Sequence, residues 1–158
     1  MARPNNGLIL LVFLVGSVAA ASLGSLATAS SVDTWYASLV KPSWNPPNWL
    51  FAPVWTALYA AMAVAAWRVW RKRDIPGTAT VIRVYWIHLL LNTAWSFLFF
   101  GLRQPVAGLI GIVILWGTIF WLLGQFWQRD RWAGLLWAPY LAWVTFATAL
   151  NFEIWRLN

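Results

Sequence analysis

"QPVAGLIGIVILWGTIFWLLGQFWQ" fills residues 104–128 without one Asp, Glu, Lys or Arg. About 20 apolar residues, rising 1.5 Å each, cross a hydrocarbon core of about 30 Å. Reading outward, the same pattern recurs between Arg3 and Asp33, from Trp44 to Trp67, from Val84 to Leu102 and from Trp132 to Phe152. Each of the five runs is at least 19 residues long and carries no charge. Inside lipid every backbone N–H and C=O needs an internal partner, so runs of this length become helices. A barrel would need short alternating segments, and these runs do not alternate. The sequence therefore predicts an all-α membrane protein, a single bundle of five transmembrane helices at about 7–29, 48–70, 80–101, 106–127 and 134–156.

The first run needs one further argument. Arg3, a long apolar stretch and "ATAS" (Ala27 to Ser30) together resemble a signal peptide with its cleavage site. The apolar part, Leu8 to Ala29, is longer than the usual 7–15 residues, so it reads as a helix.

Composition agrees. Of 158 residues, 61% are hydrophobic and 9% charged, against about 25% charged in a soluble domain. Cysteine is absent, which excludes disulfides, thiol catalysis and cysteine-bound metal. One histidine and four acids leave little for other metal sites. The formal charge of +7 does not indicate nucleic acid, because the basic residues cluster at helix ends, where they set topology. Arg3, Arg68, Arg71, Lys72, Arg73, Arg83, Arg129 and Arg131 fall on one side, eight in all, against Lys41, Arg103 and Arg156 on the other. That bias predicts a cytoplasmic N-terminus.

The loops are unequal. Three are short. The first, about residues 30–47, is long enough to fold over one mouth of the bundle. It leads into "KPSWNPPNWLFAPVW" (Lys41 to Trp55), with four prolines and three tryptophans. Proline fixes φ and lowers the entropy lost on ordering. Pro42 to Trp49 is therefore expected to be a preorganised lid, with Trp55 as the first wall beneath it. Pro46 and Pro47 suit a helix start, and Pro53 is expected to bend the second helix.

Fifteen tryptophans stand in the chain. Trp67, Trp70, Trp127, Trp132 and Trp155 fit an aromatic belt at the predicted helix ends. Trp55, Trp95, Trp116 and Trp143 lie deeper, where an indole either fills core or walls a pocket for a flat ligand. The third helix carries His88, Asn92, Trp95 and Phe99 on one face. The fifth carries Tyr140, Trp143, Ala147, Leu150 and Asn151, with Phe146 alongside, and the second offers Ala52, Trp55 and Tyr59. Such faces suit an apolar pocket with a few orienting hydrogen bonds. Each Asn also suits helix–helix bonding worth about 0.6–2 kcal/mol. His88 is either an axial haem ligand or hydrogen-bonded structure, and no second ligand is evident. Gly16, Ala20 and Gly24, like Ala107 and Gly111, let helices approach closely, within the bundle or between two copies. No paired carboxylates, Ser-His-Asp set or phosphate-binding loop stands in the chain. "LNFEIWR" (Leu150 to Arg156) nearly fits a proposed sterol pattern, with Phe152 where that pattern has Tyr.

Three blocks, "WYASLVKPSWNPPNWLFAPVWTALY" (Trp35 to Tyr59), "LNTAWSFLFFGLRQP" (Leu91 to Pro105) and "PYLAWVTFATALNFEIWRLN" (Pro139 to Asn158), closely resemble the translocator protein family, also called TspO or tryptophan-rich sensory proteins. The resemblance implies a five-helix bundle, often a homodimer, whose first loop closes a ligand pocket. It implies binding of protoporphyrin IX, haem and related tetrapyrroles as ligands, with no obligatory cofactor. It also implies cholesterol and isoquinoline or benzodiazepine-type ligands in many members. The implied role is a membrane receptor or sensor in tetrapyrrole transport, or in control of pigment synthesis by oxygen or stress. Alternatives are light-dependent porphyrin breakdown and passive transport of sterol-like molecules. Block matching places the tryptophans of porphyrin breakdown at Trp55 and Trp143, and drug-pocket positions at Asn92, Ala147 and Leu150. It places the sterol motif at Leu150, Phe152 and Arg156. The full set of expected ligand contacts is Trp44, Trp49, Ala52, Trp55, Tyr59, His88, Asn92, Trp95, Trp143, Phe146, Ala147, Leu150 and Asn151. Phe152, and His88 and Ala107 in place of the animal Gln and Trp, mark a bacterial type with its own ligand preference. Helical spans suit an inner membrane, while mitochondrial members of the family occupy an outer one.

Overall fold

The computed structural model describes residues 5–158, so Arg3 lies outside the described residues. Five helices cross the length of a membrane: α1 (Asn6–Ala29), α3 (Phe51–Trp70), α4 (Thr78–Ser96), α5 (Pro105–Arg129) and α6 (Arg131–Leu157). All are long and apolar enough to span, and the protein is an integral multi-pass membrane protein. A short helix, α2 (Trp35–Ser38), lies within the first loop. A 3-10 turn, Asn48–Leu50, leads into α3. The spans match the expected ones to within a few residues, because apolar run length sets them.

Three local differences have physical causes. Asp130 alone joins α5 to α6, where a longer loop was expected. Its side chain accepts from the Ala133 N–H at 3.0 Å and so starts the next helix at once. Pro53 falls in the first turn of α3, where no intrahelical N–H is needed. Pro139 is the proline that sits inside a helix, in α6, where it removes one backbone bond. At the far end of α4 the backbone widens into a π-helical segment, Phe97–Gly101. Arg103 then adopts a left-handed conformation (φ 56°) and turns the chain into α5.

Side-chain bonds identify the two ends of the bundle. At one end Trp67 Nε1 donates to the Asn6 carbonyl, Arg68 pairs with Asp130, and Arg129 donates to Thr78 Oγ1 and the Pro76 carbonyl. This end carries the arginine-rich turns. Its core is dense: Met62, Ala63, Ala65, Ala66, Val69, Phe126 and Trp137 are fully buried. At the other end Ser31 donates to the Phe100 carbonyl and Asn158 meets Val40. The small-residue stripe of α1 packs within the bundle. A Cβ on Gly16 would meet the Trp86 ring, and one on Gly24 would stand 3.2 Å from Ser96 Oγ.

Candidate functional site

The first loop is built from its own side chains. Lys41 Nζ donates to the Tyr36, Ala37 and Leu39 carbonyls, capping α2, and lies 4.9 Å from the centre of the Tyr36 ring. Tyr36 is buried against Phe99 and Phe100, and its hydroxyl donates to Asn45 Oδ1 at 2.8 Å. Burial pushes the Tyr36 phenol up to about 12, so it stays a donor across the physiological range. Ser31 Oγ donates to the Phe100 carbonyl at 2.8 Å. In the π register that carbonyl would need a donor at position 105, which is proline and has none. The loop hydroxyl fills the vacancy.

Beneath this loop lies a cavity of ≈ 460 Å³ between α1, α3 and α4. Trp55, Tyr59 and Phe51 from α3 wall one side, and Asn92, Trp95 and Ser96 from α4 form the floor. Ser22, Gly24, Ser25 and Thr28 of α1 form the other side, with Tyr36 and Asn48 at the loop end. Ser22, Ser25, Ala52 and Thr56 line it and are also exposed, so the cavity opens sideways between α1 and α3. Among the described residues, no charged one lines it. The hydroxyls of Ser25, Thr28 and Thr56 already bond to helix carbonyls of their own turn, which quiets their polarity in an apolar setting.

An aromatic layer closes the inner side. Trp55 packs against Tyr59, Trp95 and Tyr140 at centroid distances of 5.8, 6.4 and 6.3 Å. One amide organises the polar contacts. Tyr59 donates to Asn92 Oδ1 at 3.1 Å, and Asn92 Nδ2 donates to the Tyr140 hydroxyl at 2.6 Å. Asn92 thus ties three helices together and still faces the cavity. Trp95 Nε1 donates to Asn151 Oδ1 at 3.4 Å, and Asn151 Nδ2 to the Pro105 carbonyl.

Of the expected contact residues, the cavity gathers Ala52, Trp55, Tyr59, Asn92 and Trp95. The expected α6 residues are not in the cavity lining. Trp143 packs on Phe51 and Phe146, and Trp44 meets Phe146 edge-on at 5.6 Å. Phe51 joins the two groups, since it lines the cavity and touches Trp143. Ala147 is half-buried, while Leu150 and Asn151 are buried between helices. Trp49 is 72% exposed and points away. His88 is fully buried among Tyr85, Trp137 and Tyr140, outside the cavity lining. Its Nδ1 lies 2.7 Å from the Tyr85 carbonyl. A carbonyl only accepts, so Nδ1 carries the proton and Nε2 is a bare lone pair. Among the described residues, His88 Nε2 and Trp143 Nε1 are buried polar atoms with no hydrogen-bond partner. Phe152 and Arg156 face outward, Arg156 paired with Glu153, whereas Leu150 faces inward, so the three share no surface.

The contribution of α1 was not expected. Its signal was there, in Ser22, Ser25 and Thr28 within an apolar run, but the small residues of that helix read as packing only. Trp116 lies away from the cavity, stacked on Phe120 and donating to Thr145.

A loop-covered cavity walled by tryptophans, inside five spans, is what the sequence resemblance implied. The model of the TspO/MBR family matches residues 9–156. The chain belongs to the TspO/MBR family. Its relatives include Protein CrtK of Rhodobacter capsulatus, 41% identical over 150 residues and covering 94% of both chains. The tryptophan-rich protein TspO of Chlorobaculum tepidum is 41% identical over 159 residues, covering 98% of this chain and 99% of that protein. The translocator protein of Homo sapiens is 38% identical over 126 residues, covering 78% of this chain and 75% of that protein.

Proposed function

We propose that this TspO/MBR protein binds tetrapyrroles in the cavity between α1, α3, α4 and the first loop, and that it senses them or moves them. The observation that carries this reading is the pairing of Trp55 and Trp95 in one uncharged wall at the side of the bundle. Indole faces stack on a flat macrocycle. The volume lies within the range of about 300–1,000 Å³ usual for ligand pockets. Carboxylates would remain at the open side, because burying one without a partner costs several kcal/mol. Relatives named "tryptophan-rich sensory protein" and "translocator protein" support sensing and translocation as the two candidate roles. The arginine-rich end is assigned to the cytoplasm by the excess of Lys and Arg there.

Titration of the purified protein with protoporphyrin IX, read by tryptophan fluorescence, tests this. Saturable quenching is expected, weakened about tenfold in apparent affinity by Trp55→Ala through lost stacking area. Quenching no greater than a detergent blank removes the reading. A second reading, light-dependent porphyrin breakdown, is favoured by the position of Trp55 in the cavity wall. Illumination of the complex should then bleach the porphyrin more slowly in Trp55→Phe.

A further inference from the structure

The first loop is fastened unevenly. Its near half is fixed by Ser31 on the Phe100 carbonyl and by Tyr36, buried against Phe99 and Phe100. Its far half, residues 42–47, meets the helices at Trp44 on Phe146, with Trp44 45% exposed, and is tied to the near half by the Tyr36 hydroxyl donating to Asn45 Oδ1. Between the halves stands Val40. Its N–H donates to Asn158 Oδ1 at 3.0 Å, and its carbonyl accepts from Asn158 Nδ2 at 2.9 Å. One side-chain amide thus takes both backbone groups of one loop residue, as a neighbouring strand would. The same Nδ2 donates to the Ile154 carbonyl at 2.8 Å, so the amide is oriented by the last turn of α6 before it meets the loop.

Three features make this pair more than a surface contact. It joins residues 118 positions apart. It stands in the stretch between Tyr36 and Asn48, which line the cavity together with Val32. It is also exposed, so water competes for it and it can open and close.

We propose that Asn158 is a positioning residue that latches the first loop, and that its bond to Val40 sets how often residues 41–47 lift from Phe146 and let ligand exchange. The last step rests on the tetrapyrrole reading, while the latch itself does not.

Amide hydrogen exchange on the ligand-free protein separates the two. In Asn158→Ala, exchange at Val40 and across residues 36–45 should rise about fivefold or more, the factor given by losing about 1 kcal/mol. The melting temperature should fall by no more than about 2–4 °C, the shift the same loss gives in a chain of this size. Asn158→Asp keeps the acceptor for the Val40 N–H and loses the donor, so an intermediate rise is expected. Stopped-flow mixing with protoporphyrin IX should show association and dissociation both faster in Asn158→Ala, with Kd moving less than either rate. A residue that only stabilised the fold would raise exchange through the whole bundle rather than at residues 36–45, and would leave that pattern of rates absent. Unchanged exchange at residues 36–45 overturns the latch. Raised exchange with unchanged ligand rates overturns its control of the cavity. If the wild type shows no quenching at all, the tetrapyrrole reading fails, and exchange alone then decides the latch.

Discussion

The two ends of the bundle solve opposite problems. At the arginine-rich end the turns are minimal, and Arg68 grips Asp130 through two bonds, Nε to Oδ1 at 3.1 Å and Nη2 to Oδ2 at 3.0 Å. The core there is filled by Trp137, which is fully buried, packs on Phe126, Tyr85, His88 and Tyr140, and donates to the Ile119 carbonyl. At the loop end α1 and α3 leave a cavity, and the covering segment is held by the Tyr36–Asn45 bond and by the paired bonds between Asn158 and Val40. The two ends are packed unlike each other. Dense packing is concentrated at the arginine-rich end, and the cavity lies where the long loop is.

That contrast can be broken in order of expected size. Trp137→Ala should cost about 3–5 kcal/mol, the loss typical of a buried aromatic truncated to a methyl. Thermal unfolding in detergent measures it, and a loss below about 1 kcal/mol would mean the closed end is not the stable one. Gly16→Ala should cost about 1–3 kcal/mol, because its Cβ would enter the space of the Trp86 ring, which is stacked on Phe13. An unchanged melting temperature would show that this packing yields easily.

The ion pair comes next. Burial pushes the Asp130 carboxyl up, but the Ala133 N–H, the Arg68 guanidinium and the Trp132 N–H outweigh it and hold it below the ordinary carboxylate value. A depressed carboxylate stabilises the fold above its unfolded pKa, and that contribution is lost as pH falls through the folded value. Arg68→Ala should therefore lower stability by about 1–2 kcal/mol near neutrality and flatten the decline on acidification. Equal acid sensitivity in variant and wild type would remove Arg68 from the account. At the loop end Ser31→Ala should cost about 1 kcal/mol and raise exchange in residues 31–40 more than at the α5–α6 junction. The smallest effect has the opposite sign. Among the described residues nothing lies within 4 Å of a Cβ on Gly117, so Gly117→Ala should gain up to about 1 kcal/mol of helix propensity. A clear loss instead would show that a neighbour covers that face of α5.

Residue by residue, some of this was legible and some was not. The spans were readable because charge is excluded from lipid whatever the packing, so run length alone places α1, α3, α4, α5 and α6. The inward faces of α3 and α4 were readable from helical spacing, which put Trp55 with Tyr59 and Asn92 with Trp95. The role of α1 was not. Ser22, Ser25 and Thr28 show no strong amphipathic contrast in a run that is apolar all round, and small residues pack a neighbour or border a gap equally well. Nor could spacing reveal that Trp143, Phe146 and Ala147 stay out of the cavity lining while Trp55 and Trp95 enter it. Helical periodicity fixes which residues share a face, but not which neighbouring face reaches the space first.

The sequence by itself determined the membrane, the number of spans, the arginine-rich end, the one long loop and the family. These follow from local properties: apolar run length, charge placement and a tryptophan–proline signature. Only the tertiary structure decided where the cavity lies, that Asn92 bonds Tyr59 and Tyr140, that Phe100 offers its carbonyl to Ser31, and that Asn158 reaches Val40. Each of these depends on distances between segments far apart in the chain, which are set by how five helices share one packed volume, and no local pattern encodes that.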